Sequence, residues 1–534
     1  MEKRMILAIA LSLLVVLTFQ FLGPKKQATI DQGATRAHET PAVQPGKMPE
    51  KPAQALPTST QVPIKEEVTR IDTRKYALEF SSAGGSLKRL ILKEYLDKKQ
   101  EEIIIDATQP QGAPFALTTD RFPGLETAQF RATKINGALE YTFQEKDWVE
   151  ITKRYTFPQD EHYIGLEVAV KNISGKRMPF SYLITGPADI SKSSEMTGRS
   201  FVEADTLVDS KVWKAKGVKG KEERSGEVFW TGIKNRYFAV ILKPKEPAQT
   251  AVLAESGSGD LSVALGSGSL SLAPGEVITN TYLFYAGPLD ETLITGVDDS
   301  LGQIVDYGFF GGVSKALLKV LRFFHGIVKN WGVAIILLTV LINLILFPLT
   351  KKSFASMQQM KKLQPHMQKL KELHKDNPQK LNKEMMELYK KYNVNPLGGC
   401  LPLILQMPIF IALYQGLVRS IELKSASFLW IKDLSRPDAV PLPFTLPVLG
   451  ASINILPLFM VGMMVVQQKI SQGATAASMT DDQASQQKMM MVMFPLLFGF
   501  LFYKMPSGLV LYWLTNTILM TVEQGFISRQ LDRS

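Results

Sequence analysis

Residues 332–526 hold five separate apolar runs, and this constrains the chain more than any other feature. They are 332–350, 397–418, 444–466, 489–503 and 507–526. A helix needs about 20 apolar residues to cross the hydrocarbon, and inside it every backbone polar group must be bonded within the segment. The fourth run is short, and Lys504-Met505-Pro506 alone divides it from the fifth, as in a tight hairpin. A sixth run, Met5 to Leu22, is free of charge for eighteen residues. No small-x-small site closes it before Gly23-Pro24-Lys25-Lys26, so residues 1–23 read as an uncleaved transmembrane anchor rather than a signal peptide. The expectation is a multi-domain membrane protein with an α-helical polytopic domain, six spans in total.

The rest of the chain behaves differently. Residues 24–65 carry prolines at 24, 41, 45, 49, 52, 57 and 63 and little apolar surface, the composition of a flexible linker. From 66 to 305 the apolar residues alternate. Val149, Ile151, Tyr155 and Phe157 share one strand face; Ile164, Leu166, Val168 and Val170 share another; Leu261, Val263 and Leu265 a third. Gly84-Gly85, Asn136-Gly137 and Pro274-Gly275 punctuate the runs as turns. A large all-β sandwich follows, about 240 residues and allowable as one domain. The single cysteine, Cys400, cannot form an internal disulfide, and no Cys/His pair has metal-ligand spacing, so no metal or cofactor is expected.

Residues 306–331 contain a helical pattern. Leu317, Leu318, Leu321, Phe324 and Val328 line one face, opposite Lys315, Lys319, Arg322 and Lys329. This reads as an amphipathic interfacial helix lying in the headgroup plane. Residues 351–395 then carry eleven lysines against four acidic residues. The positive-inside rule puts that segment in the cytoplasm, the β domain outside and both termini inside. Met360, Leu363, Met367 and Leu370 step by three and four, as do Leu381, Met385, Leu388 and Tyr392 after Asp376-Asn377-Pro378. Two short helices would pair as a hairpin along this apolar seam, with Pro365 kinking or interrupting the first arm. The outward lysines suit anionic lipids, ribosomal RNA or a nascent chain.

Three stretches are recognisable: Phe347-Pro348-Leu349-Thr350-Lys351; Asn395-Pro396-Leu397-Gly398-Gly399-Cys400 running on to Gln406-Met407-Pro408-Ile409-Phe410; and Pro506-Ser507-Gly508-Leu509-Val510-Leu511-Tyr512-Trp513. In order and separation they resemble the YidC family of bacterial membrane protein insertases, of the Gram-negative type with a large periplasmic domain. The resemblance implies an insertase core at 332–530, five helices around a hydrophilic groove open to cytoplasm and lipid, and a periplasmic β-supersandwich. It implies an inner-membrane chaperone that helps nascent membrane proteins insert, alone or with the SecYEG translocon. The ribosome is a further partner, and no specific nucleic-acid sequence, nucleotide or enzymatic step is involved.

Polar side chains within the spans are then the candidates for the groove, because moving a charged group through hydrocarbon costs about 2.5–3.5 kcal/mol even on insertion scales. Thr339 and Asn343 lie four apart on one helix face; Gln406, Tyr512 and Trp513 complete the set, with Thr515 and Asn516 beside them. Relatives carry an arginine five residues before the proline of Pro348-Leu349-Thr350, where this chain has Asn343. A neutral hydrated groove is therefore expected in place of a cationic one.

Two other functions compete. A solute transporter would carry an intramembrane ionisable site or inverted repeats, and neither is visible. A carbohydrate-active β domain would need paired acids; Asp205, Asp209 and Glu227 are available, but it would leave five spans idle. Every recognisable motif lies after residue 310, so the β domain is expected to be largely dispensable for insertion.

Overall fold

The structure, a computed structural model, describes residues 66–97, 100–107, 112–188, 190, 202–215, 220–255, 261–374, 377–392, 394, 401–446, 450–472 and 493–533. The anchor at 1–23, the linker at 24–65 and the Asn395–Cys400 motif lie outside the described residues.

The alternating segment forms a β-sandwich. A four-stranded antiparallel sheet (Val68–Asp72, Tyr76–Ser81, Ser86–Asp97, Gln100–Asp106) covers part of a 13-stranded one, and the Phe80 and Tyr155 rings meet between them at 4.7 Å. Val149, Ile151, Tyr155, Ile164, Leu166, Val168, Val170, Val263 and Leu265 all point into this core. Asn136 and Gly137, at φ 48° and 79°, turn strand Arg131–Ile135 into Ala138–Glu145. Both sit in the left-handed region that a two-residue hairpin turn demands.

Lys153 lies on the same inward face and is fully buried. Its Nζ donates to the carbonyls of Gly84 and Phe115, 2.6 Å each, beneath the Phe130 ring. Burial pushes its ammonium down from 10.5 to about 7. Between those values the unfolded chain holds a proton that the folded chain lacks, so stability rises with pH across the window. Below about 7 both states are protonated and the increment is absent. The unfolding midpoint, followed by tryptophan fluorescence, should climb from pH 7.5 to 9.5 in the parent and stay flatter in Lys153→Met; equal climbs would remove Lys153 as the cause.

Helix α1 (Glu291–Val297) follows the last strand, then α2 (Gly311–Val328). Helix α2 packs its expected apolar stripe on protein. Ser314, Leu318 and Leu321 are buried, and Leu317, Phe324 and Val328 are packed against protein. A Cβ on Gly416 would come within 2.8 Å of Ser314 Oγ, so α2 and the helix bearing Gly416 nearly touch. The basic face is also engaged: Lys315 pairs with Glu291 at 2.5 Å, and Arg322 with Glu422 at 2.8 Å and with Asp290. Phe323 and Ile327, outside the expected stripe, are the large residues left most exposed on this helix. The i, i+3, i+4 stripe is thus buried against other helices, and Phe323 and Ile327 form a separate exposed apolar edge.

Helix α3 (Trp331–Leu373) runs 43 residues without a break, through Pro348 and Pro365. Of the kink or interruption expected at Pro365, the interruption does not occur, and the second run continues directly into the first arm of the hairpin. A proline removes one donor, and the remaining helix hydrogen bonds continue through it. Helix α4 (Pro378–Lys391) returns, its start capped by Asn377, which accepts from the Lys380 N–H at 3.1 Å. In the seam Leu363 is buried, while Met360, Leu381 and Leu388 are half-buried. His374 and Glu384 bridge the arms at 2.8 Å.

Helices α5 (Leu401–Arg419), α6 (Ile455–Gln472), α7 (Met493–Phe502) and α8 (Ser507–Arg533) complete the bundle. The run 444–466 is not helical throughout: residues 440–446 and 450–453 form a β-hairpin, and α6 starts only at Ile455. Pro441 and Pro443 just before the run and Pro447 within it disfavour a helix over its start, since each would remove a helix hydrogen bond. Among the described residues, only Trp331–Met360 is a helix both long and apolar enough to cross a membrane; Ile404–Arg419, Ile455–Ile470 and Met493–Phe502 are apolar but shorter.

The β domain and the helices share a core. Trp230, Ile241, Tyr285, Leu301 and Ile304 belong to one continuous apolar cluster with Leu321, Ile335, Leu413 and Trp513 of the helices.

Candidate functional site

The polar residues of the helical region fall into neighbouring groups. Asn343, 8% exposed, donates from Nδ2 to the Thr339 carbonyl at 2.9 Å and to Asn516 Oδ1 at 2.9 Å. Thr339 is fully buried, and its hydroxyl donates to Ile335 O one turn back, at 2.7 Å. Gln406 Nε2 donates to the Tyr512 hydroxyl, both side chains buried. The first group joins α3 to α8 and the second joins α5 to α8, with Tyr512 and Asn516 one turn apart on α8. Trp513 stands apart from these bonds. Its ring packs edge-on to Phe410 at 5.0 Å and against Phe498 and Phe502 at 5.4 and 5.3 Å.

The polar residues continue further along α8 than the candidates named from sequence. Beyond Asn516, residues Thr517, Thr521 and Gln524 are buried, and Ser528 accepts from Gln358 Nε2 of α3 at 3.1 Å. Across from them on α3, Thr350 and Ser353 are buried too. Thr517 and Thr521 donate to carbonyls one turn back, at 2.9 and 2.6 Å. Their recurrence at three- and four-residue spacing among Ile, Leu, Met and Val was a readable signal of a polar stripe. Glu523 adds an acid to the same helix, its Oε2 buried with no hydrogen-bond partner among the described residues.

Arg236, in the turn between two strands of the β domain, had no such signal. It is buried, and donates from Nε to Val418 O at 2.5 Å and from Nη2 to Ser435 O at 3.0 Å. It thereby ties the β domain to the end of α5 and to the loop after it.

The acids of the carbohydrate reading have other partners. Asp205 is buried 2.5 Å from Lys234 Nζ, and burial holds its carboxyl above the usual range despite that cation. Asp209 Oδ1 accepts from the Glu227 backbone N–H at 2.9 Å. Among the described residues no group of three His, Cys, Asp or Glu is placed to hold a metal ion.

Comparison with known proteins decides among the readings. The family described as "60Kd inner membrane protein" matches residues 323–534, and the "YidC periplasmic domain" matches residues 68–320. The membrane protein insertase YidC of Pelobacter propionicus is 35% identical over 559 residues, 99% of each chain. The chain belongs to the YidC family of membrane protein insertases. That of Geobacter sulfurreducens is 34% identical over 552 residues, again 99% of each chain. A solved structure described as an active YidC insertase with the first transmembrane domain resolved is 20% identical, with a TM-score of 0.36, covering 86% of this chain and 92% of that one. The insertase is therefore an integral inner-membrane protein, its β-sandwich is the YidC periplasmic domain, and its helical region carries the recognisable motifs.

Proposed function

We propose that this insertase takes nascent membrane proteins across the apolar layer along the polar stripe of α3, α5 and α8. The observation that carries the reading is the buried Asn343–Asn516 amide pair between two largely apolar helices. Thr339, Gln406 and Tyr512 extend the polar surface on one side, and Thr517, Thr521 and Gln524 on the other. A substrate's polar flank exchanging hydrogen bonds with these groups avoids part of the cost of entering hydrocarbon. Trp513 and its phenylalanines form the apolar wall beside them. No covalent step and no cofactor enter this scheme, so the work is binding and release.

In this reading the chain has six spans, with the anchor at 1–23, the linker at 24–65, the β domain at 66–305 and the insertase core at 332–530. Both termini and the 351–395 hairpin are cytoplasmic, where the hairpin lysines meet anionic lipids and the ribosome. SecYEG is the translocon with which it shares larger substrates.

A photo-crosslinking amino acid at Thr517, on the stripe, should capture a stalled nascent chain, whereas one at the exposed Val522 should capture lipid. Equal capture of nascent chain at both sites would mean the stripe is not the path. Replacing Met360, Leu363, Leu381 and Leu388 together with serine should leave orientation unchanged, because charge sets it. Insertion should fall several-fold as the hairpin loses its seam; full insertion with residues 360–390 newly protease-sensitive would reduce the hairpin to a topological loop.

A further inference from the structure

Residues 440–453 contain no charged side chain in fourteen positions. Strands Val440–Leu446 and Gly450–Ile453 form a two-stranded sheet of their own, with Val440 opposite Ile453 and Pro441 opposite Ser452. Phe444 is 59% exposed, and Pro441 and Pro443 are exposed beside it. The base of the hairpin is held firmly. Asp438 Oδ2 accepts from Trp430 Nε1 at 3.1 Å and from the Ile455 and Leu456 N–H groups at 2.9 and 2.8 Å. Asn454 accepts from the Ala439 N–H at 2.9 Å and donates to Tyr503 O at 2.7 Å. Arg236 of the periplasmic domain bonds Ser435 just upstream at 3.0 Å, so the hairpin sits at the periplasmic end of the helices.

An isolated two-stranded hairpin is marginal in water, and an exposed apolar strand invites aggregation. The exposed surface continues into Leu458 and Phe459 of α6 and into Leu429. We propose that the hairpin is a lipid contact: it lies in the interfacial layer of the periplasmic leaflet, with Phe444 toward the acyl chains. Its open edges set the depth, because unpaired N–H and C=O groups find no partner in hydrocarbon but find water among headgroups. Pro441 and Pro443 each lack an N–H, which lowers the cost of that position. A protein partner would call for a polar rim, and only Thr445 and Ser452 offer polar side chains here.

The inference rests on α6 being a span, so the test reads the two separately. In full-length protein carrying Cys400→Ser, Phe444→Cys and, in a second variant, Leu458→Cys are labelled with an environment-sensitive nitrobenzoxadiazole dye. Each is reconstituted into vesicles of phosphatidylethanolamine and phosphatidylglycerol. The label at 444 should emit at blue-shifted wavelength and resist aqueous iodide. Lipids brominated near the top of the acyl chain should quench it several-fold more than lipids brominated near the end, and the label at 458 should be quenched by deeper bromines. Iodide quenching at 444 with lipid quenching at 458 overturns the hairpin inference and leaves the span intact. Iodide quenching at both overturns the span reading and the inference with it. A label at 444 shielded from iodide and bromine alike would mean a protein covers the hairpin, and the lipid assignment would be wrong.

Discussion

Arg236→Met should loosen the junction between the periplasmic domain and the helices by about 3–5 kcal/mol, because two buried carbonyls each lose a hydrogen bond from a charged donor, about 1.5–3 kcal/mol apiece. The guanidinium makes two charge-assisted bonds to backbone carbonyls, one on α5 and one in the loop after it. Methionine fills similar volume but donates nothing, so both carbonyls lose this donor within a dry interface. The Tyr237 ring also loses the cation 4.9 Å from its centroid. At a factor of ten per 1.4 kcal/mol, hydrogen exchange of amides in 235–238 and 418–435 should accelerate by about a hundred-fold or more. Arg236→Lys keeps the charge but not the forked donors and should fall between. Exchange unchanged in Arg236→Met would show that the shared apolar cluster alone holds the junction.

Asn343→Leu should slow insertion of a single-span reporter with a charged flank by about 5–30-fold, equivalent to about 1–2 kcal/mol of added barrier. The substitution also strips Asn516 Oδ1 of its donor, which costs about 1–3 kcal/mol of stability when such an acceptor is buried. These two effects separate in the double variant Asn343→Leu with Asn516→Leu. Removing both partners restores much of the stability, because no buried polar atom is left unpaired, yet the stripe has lost its centre and insertion stays slow. Asn343→Arg should be tolerated, since the native amide acts here as a donor and guanidinium is donor-only. Reporters differing only in flank charge, measured in all four backgrounds, make the comparison. If the double variant inserts at the parent rate, the amides are helix packing, and the path must be sought near Gln406 and Tyr512.

Much of the fold was legible because it follows local rules. Period-two alternation placed Val149, Ile151, Ile164 and Leu166 inward, and Asn136-Gly137 could make one kind of turn. The same alternation was under-read at Lys153, which lies between Ile151 and Tyr155 on one strand face. Its charge argued for solvent, and only the Gly84 and Phe115 carbonyls, 69 and 38 residues away, made burial possible. The run 444–466 differs because apolar content alone does not make a helix where prolines stand at 441 and 443 just before it and at 447 within it. The two arms of the basic hairpin were legible because each helix is a local pattern.

What the sequence determined alone was the division of labour along the chain. Hydrophobic period and charge count set a β domain, a basic hairpin and apolar helices, and the three motifs pointed to the insertase family. These properties are sums over neighbouring residues, and no distant contact is needed to read them. Which polar residues meet was decided by the tertiary structure. Asn343 finds Asn516 across 173 positions, Gln406 finds Tyr512 across 106, and Arg236 finds Val418 across 182. The same is true of α2, whose apolar stripe fits lipid or protein equally well until Gly416 comes close enough to claim it. A hydrogen bond depends on two groups arriving within about 3 Å, and the pattern of one helix says nothing of where its partner's donor will stand.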